Sequence, residues 1–187
     1  MRVLGISGSL RRESYNAALL RYAGDLIEAE GAEFEIYDAL RDIPPFDEDE
    51  EAFPPDAVAR LRDAIHDADA VFFTTPEYNS SIPGALKNAL DWVSRPFATN
   101  PMRNKPVAVI GASAGAFGAV WAQAELRKVL STMGARVAEG EVAVGQAMDR
   151  LDDEGRLNEP VLAEELRDVA LTLLAEVQPA AVQQLAA

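Results

Sequence analysis

Short apolar runs alternate with helical stretches along almost the whole chain, and this alternation limits the folds open to it. Residues 2–7 read as a buried strand. Residues 14–30 follow as a helix, with Ala17, Leu19, Leu20, Ala23, Leu26 and Ile27 at helical spacing and Gly31 beyond the end. Residues 33–38 alternate polar and apolar, as an edge strand does. The pattern then repeats. Helix 56–68 leads to strand 70–75, helix 83–94 to strand 107–112, helix 119–133 to strand 136–144, and a last helix covers 159–177. Five strands separated by helices imply a parallel sheet covered on both faces, an α/β three-layer sandwich with right-handed crossovers. No repeat or linker divides the 187 residues, which are expected to form one domain over 1–187, with a frayed tail from about residue 178.

The first strand runs straight into the turn Gly5 to Asn16, GISGSLRRESYN. Ser7, Gly8, Ser9, Arg11, Ser14 and Asn16 gather hydroxyls, an amide and a guanidinium at the start of a helix, whose first N–H groups lack intrahelical acceptors. That is a site for an anion, and the lack of a metal-binding acid beside it suits a phosphate monoester. It is not a P-loop, for there is no G-x-x-x-x-G-K-[ST]. Nor is it a dinucleotide fingerprint, for Gly5 and Gly8 give only G-x-x-G. The alternative is an ordinary strand-to-helix turn with a serine cap. A phosphate site at the first turn of a five-stranded sheet favours the flavodoxin-like strand order 2-1-3-4-5.

The charge excludes several classes of partner. With 17 basic against 31 acidic residues the formal charge is −14, which repels nucleic acid and anionic membranes. There is no cysteine, hence no disulfide, thiolate nucleophile or cysteine metal site. No apolar run reaches membrane-spanning length, and Met1-Arg2 leads directly into a strand, so a cytoplasmic protein is expected. Residues 39–55 hold four prolines and the acidic run Asp47 to Glu51, which reads as a solvated surface loop and not as a metal site.

In a sheet of this order, ligands sit beyond the carboxyl ends of the strands, so the loops at 7–16, 76–82 and 113–118 should meet. Gly111 to Gly115 reads GASAG, the G-x-S-x-G of a nucleophile elbow. A triad in that fold needs a histidine after the serine, and the only histidine, His66, lies before it on a surface helix. No catalytic acid, base or nucleophile is assigned.

Residues 75–92, TPEYNSSIPGALKNALDW, resemble the signature of the NADPH-dependent FMN reductase family, and residues 8–16, GSLRRESYN, resemble its phosphate loop. The likeness extends over about residues 2–145. The family includes quinone, azo-dye and chromate reductases of flavodoxin-like fold. The resemblance implies that Ser9, Arg11, Ser14, Tyr15 and Asn16 hold the FMN phosphate, that Pro76, Glu77, Tyr78 and Asn79 line the ribityl chain and the ring, and that Ser113 and Gly115 close over its other side. It implies NADPH or NADH as donor, and a quinone, azo compound, free flavin or oxidised metal ion as acceptor. Chemistry carried by FMN needs no catalytic side chain and no metal. Glycines at 115 and 118 would let the backbone approach a flat ring. Glu77 is open between a flavin neighbour and a salt-bridge partner at a subunit contact, and Lys87 between solvent and a partner. Trp92 and Trp121 read as packing or subunit-contact residues. Leu86, Leu90, Trp92 and Val93 on one helix suggest surface for a homodimer or homotetramer. Two other readings stay open: a non-enzymatic FMN electron carrier of flavodoxin type, and a nucleotide-phosphate binding module without flavin.

Overall fold

The computed structural model describes residues 1–152 and 154–177, so the tail expected from about residue 178 lies outside the described residues. Strands β1 (Arg2–Ser7), β2 (Glu33–Tyr37), β3 (Ala70–Thr75), β4 (Pro106–Ala112) and β5 (Arg136–Val137) form a parallel sheet of order β2-β1-β3-β4-β5. A further short strand, β6 (Ala143–Val144), pairs with the end of β4. The order is the flavodoxin-like one that the sequence implies.

The inner strands are apolar on both faces because both faces are covered. Leu4, Ile6, Val71, Phe73, Val107 and Val109 point into one core, beneath α2 (Asp56–Asp67), α3 (Gly84–Val93) and α4 (Val120–Thr132). Val3, Ala70, Phe72, Ala108 and Ile110 point into the other, beneath α1 (Tyr15–Ala29) and α6 (Pro160–Val177). Side chains of period two thus divide one strand between two cores. Ser14 caps α1, its hydroxyl oxygen accepting from Ala17 N, and Gly134 ends α4 at a φ of +90°.

Three elements differ from the sequence reading. The fifth strand, expected within 136–144, is two short pieces. Val107 pairs with Val137, but Gly111 pairs with Ala143, so two extra residues loop out between the pairings. Gly140, at a φ of +102°, supplies the bend. The bulge leaves carbonyls of the sheet edge without strand partners, and Arg127 of α4 takes them. Its guanidinium donates to Val109 O at 2.8 Å, to Ala138 O at 3.0 Å and to Gly140 O. Burial pulls the Arg127 pKa below its ordinary value, opposed by the nearby Glu141.

Second, the proline-rich loop 39–55 is not merely solvated. It contains 3-10 turns at Leu40–Asp42 and Glu48–Glu50 and is pinned to α3. Pro44 O accepts from Asn88 Nδ2 and Trp92 Nε1, Phe46 N donates to Asn88 Oδ1, and the Phe46 ring meets Trp92 edge-on at 5.0 Å. Leu86, Leu90, Trp92 and Val93 are therefore all buried within the chain and leave no surface for a partner. Third, between the fifth strand and the last helix, where no element is read from the sequence, lie a short helix, α5 (Ala147–Arg150), and a Leu151–Leu157 bridge.

Candidate functional site

The loops after β1, β3 and β4 are tied to one another at the carboxyl edge of the sheet. The turn after β1 is anchored first by its backbone, Gly8 N donating to Thr74 O at 2.8 Å. Gly8 lies beneath Leu86, Pro76 and Pro83, and a Cβ there would meet Leu86 at 2.9 Å, so its glycine seats the first loop against the second. Ser9 N donates to Ser7 Oγ, and Arg11 stacks its guanidinium 5.0 Å from the centre of the Tyr15 ring. Arg11 is exposed, while Ser14 is buried. From Leu10 to Asn16 no backbone N–H has a hydrogen-bond acceptor among the described residues, and the first turn of α1 carries no acidic side chain. Free amides at a helix start, with the Ser9 and Ser14 hydroxyls and Arg11 beside them, fit a phosphate monoester.

Asn16 is placed differently from the other residues of that turn. The residue is 3% exposed and its side chain pairs with both backbone groups of one residue: Nδ2 donates to Ala112 O at 2.8 Å and Oδ1 accepts from Ala112 N at 3.0 Å. Its backbone oxygen accepts from Thr74 Oγ1 at 2.9 Å. With both ends of the amide engaged, Asn16 fastens the start of α1 to the ends of β3 and β4, and we do not carry it forward as a phosphate ligand.

The loop after β3 begins at buried Pro76, whose carbonyl accepts from Thr75 Oγ1. It then folds into a tight hairpin, Tyr78 and Ser81 exchanging backbone hydrogen bonds of 3.0 and 3.1 Å. The two central residues, Asn79 and Ser80, have φ of 54° and 59°, as a type I′ turn requires. The backbone groups of Glu77, Asn79 and Ser80 remain to read the polar edge of a ring. The Glu77 carboxylate is turned to α4, one oxygen accepting from Trp121 N at 3.0 Å and from Ala122 N at 3.1 Å.

The loop after β4 is held from below by a segment the sequence reading passed over. Ser113 N donates to Val144 O, Ala147 N to Ser113 O, and Gln146 N to Gly115 O. Ser113 Oγ also donates to Gly115 O, at 3.2 Å. A Cβ on Gly145 would fall 2.2 Å from Ala116 O, and one on Gly118 would fall 2.3 Å from Ala143 C. Gly118 is thus a glycine because the two segments interlock and its φ is +58°, and ring approach is not the reason. Around Gly115 the space is open, which suits a ligand. Buried Gln123 joins the segments from α4, donating to Gly118 O and Val142 O. The signal for this fourth segment was the Val144-Gly145-Gln146 run directly after the strand.

Three exposed aromatic residues border the same edge. Tyr78 is 54% exposed, Phe117 64% and Trp121 49%, and the Phe117 and Trp121 rings meet edge-on at 5.2 Å. Trp92, by contrast, is core, and His66 is an exposed residue of α2. Lys87 forms an ion pair with Asp91 one turn along α3. Among the described residues no cluster of histidine, aspartate or glutamate could hold a metal ion, and no helix is long and apolar enough to cross a membrane.

Comparison with known proteins identifies the family. The family described as NADPH-dependent FMN reductase matches residues 1–149. An NAD(P)H-dependent FMN reductase of Pseudomonas aeruginosa is 47% identical over 160 residues, which cover 84% of each chain. A quinone reductase of Pseudomonas putida is 40% identical over 156 residues, covering 82% of this chain and 83% of the relative. Among solved structures, the flavoenzyme NAD(P)H:(acceptor) oxidoreductase FerB of Paracoccus denitrificans superposes with a TM-score of 0.84 at 36% identity, over 95% of this chain and 97% of that one. The chain belongs to the NADPH-dependent FMN reductase family, and it is an FMN-dependent NAD(P)H oxidoreductase.

Proposed function

We propose that this enzyme seats the FMN phosphate in the turn after β1 and the ring between the loops at 76–81 and 113–118, and that it reduces quinones and related small acceptors. The observation that carries this reading is the run of amides from Leu10 to Asn16 that lack acceptors among the described residues, lying beside two loops that are anchored from behind. Ser9, Arg11, Ser14 and Tyr15 would surround the phosphate. Pro76, Glu77, Tyr78 and Asn79 would edge the ribityl chain and ring through the backbone, and Ser113 and Gly115 would cover the far side. FMN held there would supply the redox chemistry, the transfer of two electrons from nicotinamide to an acceptor.

The chain's own residues bind, orient and exclude. The helix start and Arg11 fix the anionic end. The interlocked segments 113–118 and 143–147 give a rigid floor, and Tyr78, Phe117 and Trp121 offer apolar walls to a flat donor or acceptor. The same three aromatic residues, exposed together, support a homodimer or homotetramer completed at this edge. An NAD(P)H donor supports a cytoplasmic setting. Extraction of the bound flavin tests the cofactor assignment, and recovery of FAD alone would contradict it. Initial rates at varied NADPH and quinone should give parallel lines, because donor and acceptor need not be present together. Intersecting lines would contradict that arrangement.

A further inference from the structure

We infer that Glu77 is a positioning residue: by capping α4 from the opposite loop, it fixes the separation of the two loops that are to hold the flavin ring. The inference rests on the ring placement proposed above. Helix α4 starts without a cap of its own. The two residues before it, Gly118 and Ala119, both have positive φ, and Ala119, at the cap position, has no side-chain acceptor. The first-turn N–H groups of α4 therefore need a partner from elsewhere. Glu77 provides it from 44 residues away, one carboxylate oxygen bridging Trp121 N and Ala122 N. A negative charge at that helix end also offsets the positive end of the helix dipole.

The grip is returned one turn later. Glu125 on α4 points its carboxylate back to Ile82 N, at 3.4 Å, where the loop after β3 ends. Both ends of residues 77–82 are thus held by α4, while the middle is a hairpin whose Asn79 and Ser80 sit in a left-handed conformation unfavourable to any residue with a Cβ. A strained hairpin keeps its place only when the structure around it over-determines it. The Glu77 bridge is the closer of the two contacts to α4, one oxygen meeting two N–H groups at 3.0 and 3.1 Å where Glu125 meets one at 3.4 Å. The Glu77 side chain thus acts on the slot through α4, and its backbone faces the ring.

The test compares Glu77→Gln, which keeps the acceptor oxygen, with Glu77→Ala, which removes it. FMN affinity of the apo-protein, KM for NAD(P)H, kcat at saturating FMN and the urea midpoint are measured for each. Glu77→Ala should raise the FMN dissociation constant roughly tenfold or more, the scale of one lost hydrogen bond to a charged group, and should raise KM more than it lowers kcat. Glu77→Gln should recover most of both. If Glu77→Ala lowers the urea midpoint but leaves FMN affinity and KM unchanged, the bridge serves folding alone and the inference is overturned. If Glu77→Gln is as weak as Glu77→Ala, charge and not position is at work, and the inference is again overturned. Should Glu77→Ala not fold, Glu77→Asp replaces it: one methylene shorter, it must bind FMN more weakly than Glu77→Gln does, and equal binding overturns the inference. Failure of the unsubstituted protein to take up FMN would overturn the functional reading and this inference with it, whereas unchanged FMN binding by the variants overturns the inference alone.

Discussion

Replacing Asn16 by alanine separates a structural tie from a phosphate ligand. In the folded chain the Asn16 amide satisfies both the N–H and the C=O of Ala112, at 3.0 and 2.8 Å, in a place closed to solvent. Alanine leaves a buried N–H and a buried C=O without partners. Each such group costs about 1–3 kcal/mol, so the apo-protein should lose about 2–6 kcal/mol, a large share of the 5–15 kcal/mol typical of a folded domain. Urea unfolding of the apo-protein gives the number with no flavin present, so a contact to phosphate cannot contribute to it. Asn16→Asp should also destabilise at neutral pH, because its carboxylate keeps the bond from Ala112 N but sets a second oxygen against Ala112 O. Burial raises the pKa of the introduced carboxyl in the folded state above its unfolded value. The stability of that variant relative to the wild type should then be greatest at acid pH and be lost as pH rises through the folded pKa. An Asn16→Ala apo-protein with an unchanged urea midpoint and weakened FMN binding would refute the reasoning and return Asn16 to the phosphate site.

Arg11→Ala should raise the FMN dissociation constant roughly tenfold to a hundredfold, as for loss of a charged hydrogen bond, with turnover restored at saturating FMN; flavin titration followed by steady-state rates measures both. Arg127→Met should cost about 2–4 kcal/mol by leaving the carbonyls of Val109, Ala138 and Gly140 unpaired, read as a lowered urea midpoint. Ser80→Gly should stabilise by roughly 0.5–1 kcal/mol, because glycine adopts the positive φ at this position without a Cβ penalty; a fall in thermal midpoint would contradict that. Light scattering at micromolar concentration should give a dimer or tetramer, and a fully active monomer would contradict the proposed assembly.

The sheet and the three loops could be read from the chain because their signals are local. Val3 to Ile6, Val71 to Phe73 and Val107 to Ile110 are apolar throughout, Ser14 is a cap, and Gly31 and Gly134 are stops. What the loops rest on was not legible, because it depends on residues far apart in sequence. Asn16 reaches Ala112 across 96 positions and Glu77 reaches α4 across 44. As polar residues in site-like turns, Asn16 reads as a ligand and Glu77 stays open between a flavin neighbour and a salt-bridge partner. The bulge in the fifth strand did leave a trace: Glu139-Gly140-Glu141 puts two charges and a glycine where a buried strand would carry apolar residues. The hairpin at 78–81 left almost none, since its left-handed positions hold Asn79 and Ser80 and lack the glycine that announces such a turn. The apolar side of α3 was misread as partner surface because the loop that covers it, through Pro44 and Phe46, reads in sequence as acidic and solvated.

Anaerobic titration of the FMN-loaded protein with NADPH and with NADH tests the central claim most directly. The account predicts that the visible flavin band bleaches in proportion to the nicotinamide added, and that a quinone then restores it. A bound flavin that stays oxidised in excess NADPH and NADH, yet is reduced by dithionite, would contradict it and mark the chain as an electron carrier.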